Sequence, residues 1–285
     1  NTGDDFLHLD YFICPDLDSV LYKLADINDT ERGWGIRDET WNFMESLKKI
    51  GGEDWFQLGD KDLATHIERT RRLTEGQTLS EVTRALCQQH KIAHSIVPMT
   101  DHRVGTVVDT KDGDFFFQDY FVRLRCEPTF TGVHYKGMEE AVPAPQFKAA
   151  LRDPSLTAIM FCPSNPYVSI DPILSVPGVF NALNKAGVPI IAVSPIIGGQ
   201  AVKGPAAKMM AELGLPVSPR GIAQHYGNLI DGLVIDNEDV DLAEQIMATG
   251  IGVQVTNTLM KSAEDEALLA QETLNLAATL SRKGS

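Results

Sequence analysis

Four short runs constrain this chain more than anything else in it: AIMFC (158–162), PIIAVS (189–194), GLVID (232–236) and GVQVT (252–256). Each is brief, β-branched and nearly all apolar. Strands buried on both faces read this way, and such strands belong to parallel sheets. Helical patterns lie between and after them: a stretch opened by Pro177 and closed by Gly187, then 204–213, 239–249 and 262–282. Proline at a helix start and glycine at its stop suit the different needs of the two ends. The alternation predicts a Rossmann-like, three-layer α/β sandwich with a mostly parallel sheet and right-handed crossovers. SIVPM (95–99), VGTVVDT (104–110) and DFFFQDYFV (114–122) also read as strands. The last two flank Lys111-Asp112-Gly113, a hairpin signal.

Residues 38–90 break the alternation. A helix is expected from Asp38 to the Gly51-Gly52 stop, a second from about Asp60 over DKDLATHIERTRRL, and a third from Thr78-Leu79-Ser80-Glu81 to His90. That last quartet is a capping box. The expected organisation is an α/β domain over 1–30 and 92–285, interrupted by an all-helical insertion at 31–91.

Charge narrows the partners. The net charge is −14, which opposes a general grip on nucleic acid, since that needs a basic surface to displace counterions. No apolar run approaches the roughly 18–20 residues that span a bilayer, and no signal peptide is evident. The four cysteines, Cys14, Cys87, Cys126 and Cys162, form no CxxC, so neither a zinc site nor a disulfide framework is indicated. A cytoplasmic protein without nucleic-acid or membrane partners is expected.

Ligands of open α/β sheets bind beyond the carboxyl ends of the strands. Ser164 and Asn165, between two prolines, follow the first apolar run; they would offer donors to a nucleotide or simply satisfy their own turn. In SPIIGGQAVKGPAAK (194–208), Gly198 and Gly199 permit close backbone approach, Gly204-Pro205 open a helix, and Lys203 adds charge. That is an anion site or an ordinary glycine-containing connection, and it is no P-loop. Asp4, Asp5, Asp16 and Asp18 are hard ligands of the kind magnesium prefers. Asp16 is also placed as a helix cap before SVLYKLADI, which leaves Asp18 the better claim to a charged ligand. Asp60, Lys61 and Asp62 open a helix, where acids are favourable for the dipole alone. Glu68 to Arg72 read as a solvated helix face, His66 as structural, and Trp34, Trp41 and Trp55 as core or as an aromatic wall.

NTGDDF (1–6), CPDLDSVLY (14–22), RDETW (37–41), LGDKDLATH (58–66), PSNPYVSIDPIL (163–174) and SPIIGGQAVKGPAAKMM (194–210) together resemble the 2-phospho-L-lactate transferase family of coenzyme F420 biosynthesis, in its bacterial form. The resemblance implies a Rossmann-like domain with a helical insertion, often dimeric, so a homodimer is expected. It implies transfer of a phosphoenolpyruvyl or 2-phospho-L-lactyl group from a guanosine-diphosphate ester to the deazaflavin Fo, with GMP leaving and magnesium required. It implies Asp18 and Asp5 as catalytic, and Asp4, Asp5, Asp16 and Asp18 as the metal group. It further implies Asp18, Asp60, Lys61 and Asp62 on the Fo side, and Ser164, Asn165 and the 194–204 loop, with Gly198, Gly199, Lys203 and Gly204, on the nucleotide side. Family members carry a strand and glycine-rich loop ahead of NTGDD, and the expectation is that these are missing here. A non-catalytic nucleotide-sugar-binding regulator of the same fold is the alternative; CPDLD and LGDKD favour the enzyme. An NAD(P) dehydrogenase is disfavoured, since no GxGxxG follows a strand.

Overall fold

A computed structural model describes residues 1–280. The chain divides into two compact units, one of residues 1–128, 133–148 and 175–177, the other of 129–132, 149–174 and the remainder from 178.

The first unit begins with an antiparallel hairpin, β1 (Phe6–His8) and β2 (Tyr11–Ile13). Its two-residue turn, Leu9-Asp10, has positive φ at both positions (51° and 62°). Hairpin turns of this hand usually use Asn or Gly, so the sequence carries no clear signal of the turn. Helix α1 (Pro15–Leu24) follows. Its N-cap is Cys14 and its first residue Pro15, so Asp16 lies inside the first turn and is not the cap.

Three helices come next: α2 (Asn42–Lys49), α3 (Asp60–Thr74) and α4 (Leu79–Gln89). The first starts later than the Asp38 signal suggests, because Asp38 itself is left-handed (φ 55°). It stops as expected, with Gly51 left-handed and the Gly52 N–H donating to the Leu47 carbonyl at 3.0 Å. The capping box at Thr78 and Glu81 forms in full. Helix α4 buries Val82, Leu86 and Cys87 against Leu21 and Tyr22 of α1. Thr78→Ala is expected to cost about 1 kcal/mol, the usual worth of such a cap. A thermal melt checks this, and an unchanged midpoint would show the cap to be idle.

β3 (Gly105–Thr110), β4 (Gly113–Phe116) and β5 (Phe130–Lys136) form a sheet in the order β4-β3-β5. The hairpin at 111–113 is present, with Thr110 paired to Gly113. Two strand expectations fail. Residues 95–99 are not a strand; the run contains Pro98, which lacks the ladder donor. The run 114–122 leaves the sheet after Phe116 and becomes helical over Asp119–Arg123. Its aromatics explain the change: Phe117 and Phe121 stack at 5.4 Å, and Arg123 pairs with Asp119 at 2.7 Å, both at helical i,i+4 spacing. Helix α5 (Pro145–Ala150) ends this region.

The second unit holds the four apolar runs as β6 (Ile159–Phe161), then, after α6 (Asp171–Ser175) and α7 (Val179–Lys185), β7 (Ile190–Val193). A small hairpin of β8 (Ile196–Ile197) and β9 (Gln200–Ala201) precedes α8 (Ala206–Glu212) and α9 (Pro219–Tyr226). β10 (Gly232–Asp236), α10 (Ala243–Met247), β11 (Gly252–Thr256) and α11 (Ala263–Thr279) complete it. The sheet is parallel throughout, ordered β11-β10-β7-β6, as a Rossmann-like α/β fold requires. Leu269, Leu276 and Ala277 of α11 pack on Ile191, Val193 and Val234. Gly232 makes that approach possible: a Cβ there would sit 2.9 Å from a Leu276 methyl. The helix expected over 239–249 is α only from Ala243, being 3₁₀ over Asn237–Leu242. The last two residues of the 262–282 expectation lie outside the described residues. Helix α9 has a local signal of its own, since Ser218-Pro219 places a cap before a first-turn proline and the Ser218 side chain accepts from Gly221 N. Among the described residues no helix is long and apolar enough to cross a membrane.

Candidate active site

The NTGDD segment is pinned from two sides. The Thr106 N–H of β3 donates to the Gly3 carbonyl at 2.6 Å, and the Asn1 side chain accepts from the Gly3 N–H at 2.8 Å. Both carboxylates are thereby held inside. Burial, then the Asp16 charge, push Asp4 well above the usual carboxylate range. Burial does the same to Asp5, against partial relief from the Cys14 thiol and the Arg69 charge. Apart from that thiol, neither buried Asp5 oxygen has a hydrogen-bond partner, and Asp4 Oδ1 has none. A buried carboxylate left in this state either keeps its proton or takes a cation. Burial also raises the Cys14 thiol well above its ordinary value, so it is no nucleophile.

Asp18 is in different company. It is 4% exposed, on the inner face of α1. One oxygen is bonded to Arg69 of α3, a residue that local charge pattern places on a solvated face but that is 2% exposed. Arg69 also donates to the Phe12 carbonyl at 3.3 Å and reaches His66 Nδ1 at 3.1 Å. With Nδ1 accepting, His66 Nε2 carries the proton, and it faces Asp62 Oδ1 at 3.3 Å. The Tyr22 hydroxyl donates to the same oxygen at 2.5 Å. Burial opposes ionisation of Asp62, but the adjacent His66 imidazole and the Tyr22 hydroxyl outweigh it, and the carboxyl lies below its usual range. Burial likewise opposes the Arg69 charge, and Asp18 overrides it, raising the guanidinium further.

Two groups of residues are therefore candidates for a divalent cation. Asp18, Asp62 and His66 bring ligand atoms within 4.8 Å of one another; Arg69 already neutralises Asp18, while Asp18 Oδ2 and His66 Nε2 have no hydrogen-bond partner. Asp4 Oδ1 and, apart from the Cys14 thiol, both Asp5 oxygens have no hydrogen-bond partner, and these hard oxygens fit magnesium. Asp16, in the first turn of α1, adds its charge to the same group.

The Asp60 to Asp62 segment holds its own scaffold together. The Asp60 carboxylate accepts from Phe43 N (3.0 Å), Thr40 Oγ1 (2.7 Å) and Asn42 Nδ2 (2.8 Å), so it caps α2 from the start of α3. Those bonds, the Phe43 amide first, bring it down to about 2. Glu39 returns the favour to α3, accepting from Lys61 N at 2.7 Å and Asp62 N at 3.0 Å. Gly59 leaves room for this, as a Cβ there would be 1.9 Å from Glu39 Cγ. Lys61 Nζ donates to the Arg37 and Asp38 carbonyls at 3.0 and 2.5 Å. Lys61 also lines an open groove of about 570 Å³ with Arg37, Thr65, Glu68 and His90.

The nucleotide-side candidates lie in the second unit. Asn165 accepts from Tyr167 N at 3.0 Å and its amide nitrogen lies 3.3 Å from Met209 Sδ, so its polar groups are in use; Ser164 directly precedes it. Gly198 and Gly199 form the two-residue turn of the β8-β9 hairpin, with φ of 54° and 79°. The Gly198 N–H points at Asp239 Oδ2, 3.1 Å away. Lys203 is exposed and Gly204 left-handed (φ 73°) just before α8.

The family description 2-phospho-L-lactate transferase CofD matches residues 1–266. A phosphoenolpyruvate transferase of Streptomyces coelicolor is 42% identical over 97% of this chain and 88% of its own length. A 2-phospho-L-lactate transferase of Methanococcoides burtonii is 38% identical over 98% of this chain and 90% of its own. A crystal structure of protein BH3568 from Bacillus halodurans aligns at a TM-score of 0.57 and 13% identity, over 90% of this chain and 82% of that one. With so few identities the last likeness is one of fold. Parallel sheet, buried acids and enzymatic relatives together define an α/β transferase. The agreement with relatives extends from the NTGDD segment into α11. The chain belongs to the 2-phospho-L-lactate transferase family.

Proposed function

We propose that this enzyme moves a phosphoenolpyruvyl or 2-phospho-L-lactyl group from its guanosine-diphosphate ester to the primary ribityl hydroxyl of the deazaflavin Fo. A bond forms between that oxygen and the phosphorus bearing the three-carbon acid. The anhydride bond breaks, GMP leaves with the bridging oxygen, and the product is coenzyme F420-0 or its dehydro form. The observation that carries the reading is the family match over residues 1–266, joined to relatives named for these two transfers.

Such chemistry depends on positioning and on neutralising charge. Asp4 and Asp5, with Asp16 adding charge, would hold magnesium; bound there, the ion would offset the negative charge of the diphosphate. Asp5 and Asp18 orient the acceptor hydroxyl, and its one proton passes to the Asp18 oxygen that Arg69 leaves open. Asp60, Lys61 and Asp62 serve the Fo side by fixing the loop over 37–43. Ser164, Asn165, Gly198, Gly199, Lys203 and Gly204 serve the nucleotide. The proposal includes a helical insertion at 31–91 within an α/β domain of 1–30 and 92–285, and a cytoplasmic homodimer.

The test incubates the protein with Fo, magnesium and each guanosine-diphosphate donor in turn, followed by mass spectrometry. A phospho-acid adduct of Fo and an equivalent of GMP are expected with one donor at least, and none after chelation. No adduct with any donor would overturn the reading.

A further inference from the structure

A second cavity, of about 670 Å³, lies wholly in the first unit. Asp5 and Thr2 of the NTGDD segment line it, as do the aromatic rings of Phe6, Trp55 and Phe116. Three carboxylates, Asp5, Asp101 and Asp119, and two cations line it. Arg103 and Lys136 both line it, and among the described residues neither enters an ion pair. Each is held over a ring instead: the Arg103 guanidinium 5.0 Å from the centre of Phe12, and Lys136 Nζ 5.7 Å from that of Phe116. Ring faces orient a cation without neutralising it. Of the other lining acids, Asp101 accepts from Ser80 N at 2.7 Å and Asp119 is paired with Arg123.

The chain segments that carry the two cations run close together. Gly137, next to Lys136, has φ of 80° and no room for a side chain, because a Cβ would stand 2.7 Å from the Arg103 carbonyl. Gln118 lines the same cavity, and among the described residues its side-chain amide makes no hydrogen bond, which leaves that amide free to donate to an occupant.

We propose that Arg103 and Lys136, assisted by Gln118, receive the carboxylate of the phosphorylated three-carbon acid. This rests on the transfer reading above. A guanidinium fork matches a carboxylate in plane and spacing, and an amide supplies a further donor. The phosphorus would then lie towards Asp5, which borders the same cavity.

The test compares Arg103→Gln and Lys136→Gln with the wild type, all checked for an intact fold by circular dichroism. Each variant is expected to raise KM for the donor at least roughly tenfold, the effect of about one charge-assisted bond, with KM for Fo within about twofold. Arg103→Lys should recover part of the loss. With a guanosine-diphosphate ester of a three-carbon alcohol, which has no carboxylate, variants and wild type should agree. Unchanged donor KM, or an equal rise with the carboxylate-free ester, would overturn the proposal. Calorimetry with phosphoenolpyruvate alone separates it from the transfer reading. Should the wild type transfer nothing, binding that Arg103→Gln abolishes still supports the carboxylate site, and no binding by the wild type, or equal binding by both proteins, overturns it.

Discussion

Asp5→Asn is expected to lower transfer by at least about a hundredfold and, in the presence of a chelator, to raise the melting temperature. The two effects share one cause. Both Asp5 oxygens are buried without a partner other than the Cys14 thiol, and an ionisable group left this way costs about 1–3 kcal/mol or more. An amide of the same shape carries no charge to desolvate. For a chain of this size the gain corresponds to roughly 2–10 °C. Magnesium should reverse the order, stabilising the wild type by mass action and the variant little. The activity loss reflects removal of a carboxylate that the chemistry uses, for which losses of about 10²–10⁴-fold are usual. Wild-type turnover in the variant, or a lower melting temperature under chelation, would remove Asp5 from the site.

The second large effect concerns Asp18. Replacing it with leucine strands the Arg69 charge in a fully buried position, and Arg69→Met strands the Asp18 carboxylate. Either single change is expected to cost about 3–5 kcal/mol. The double variant Asp18→Leu with Arg69→Met should recover most of this, because no charge is then left unpaired. Urea denaturation of the four proteins measures the coupling, and additive losses would rule out a buried pair. The experiment bears on function too. An inactive Asp18→Leu protein does not by itself show a chemical role, since its fold is weakened at the same time.

Much of the fold was written locally. The four parallel strands are nearly all apolar, and no distant contact is needed to recognise them. The turn at Leu9-Asp10 was invisible, because two residues with side chains adopt a conformation usually left to glycine or asparagine. The run 114–122 carries strand-forming residues whose ring and charge pairings favour a helical turn instead. At the site, the acids of NTGDD and CPDLD were evident, but their environments were not. Asp18 and Arg69 are 51 residues apart, so nothing near either one announces the pair. Asp60 read as an acid favourable to the dipole of its own helix, and it caps a different one. Gly198 and Gly199 have a conformational need that glycine meets, whatever they touch. Arg103, Lys136 and Gln118 belong to no motif, and only the cavity brings them together.

The exchange of caps between α2 and α3 has a consequence for how this region opens. Asp60 belongs to one helix and terminates the other, while Glu39, ahead of both, closes the start of the second. Neither helix start is released without uncovering amides at its neighbour. The segment from Arg37 to Asp62 is thus expected to open as a single unit in hydrogen exchange, with the amides of Phe43, Lys61 and Asp62 sharing one protection free energy.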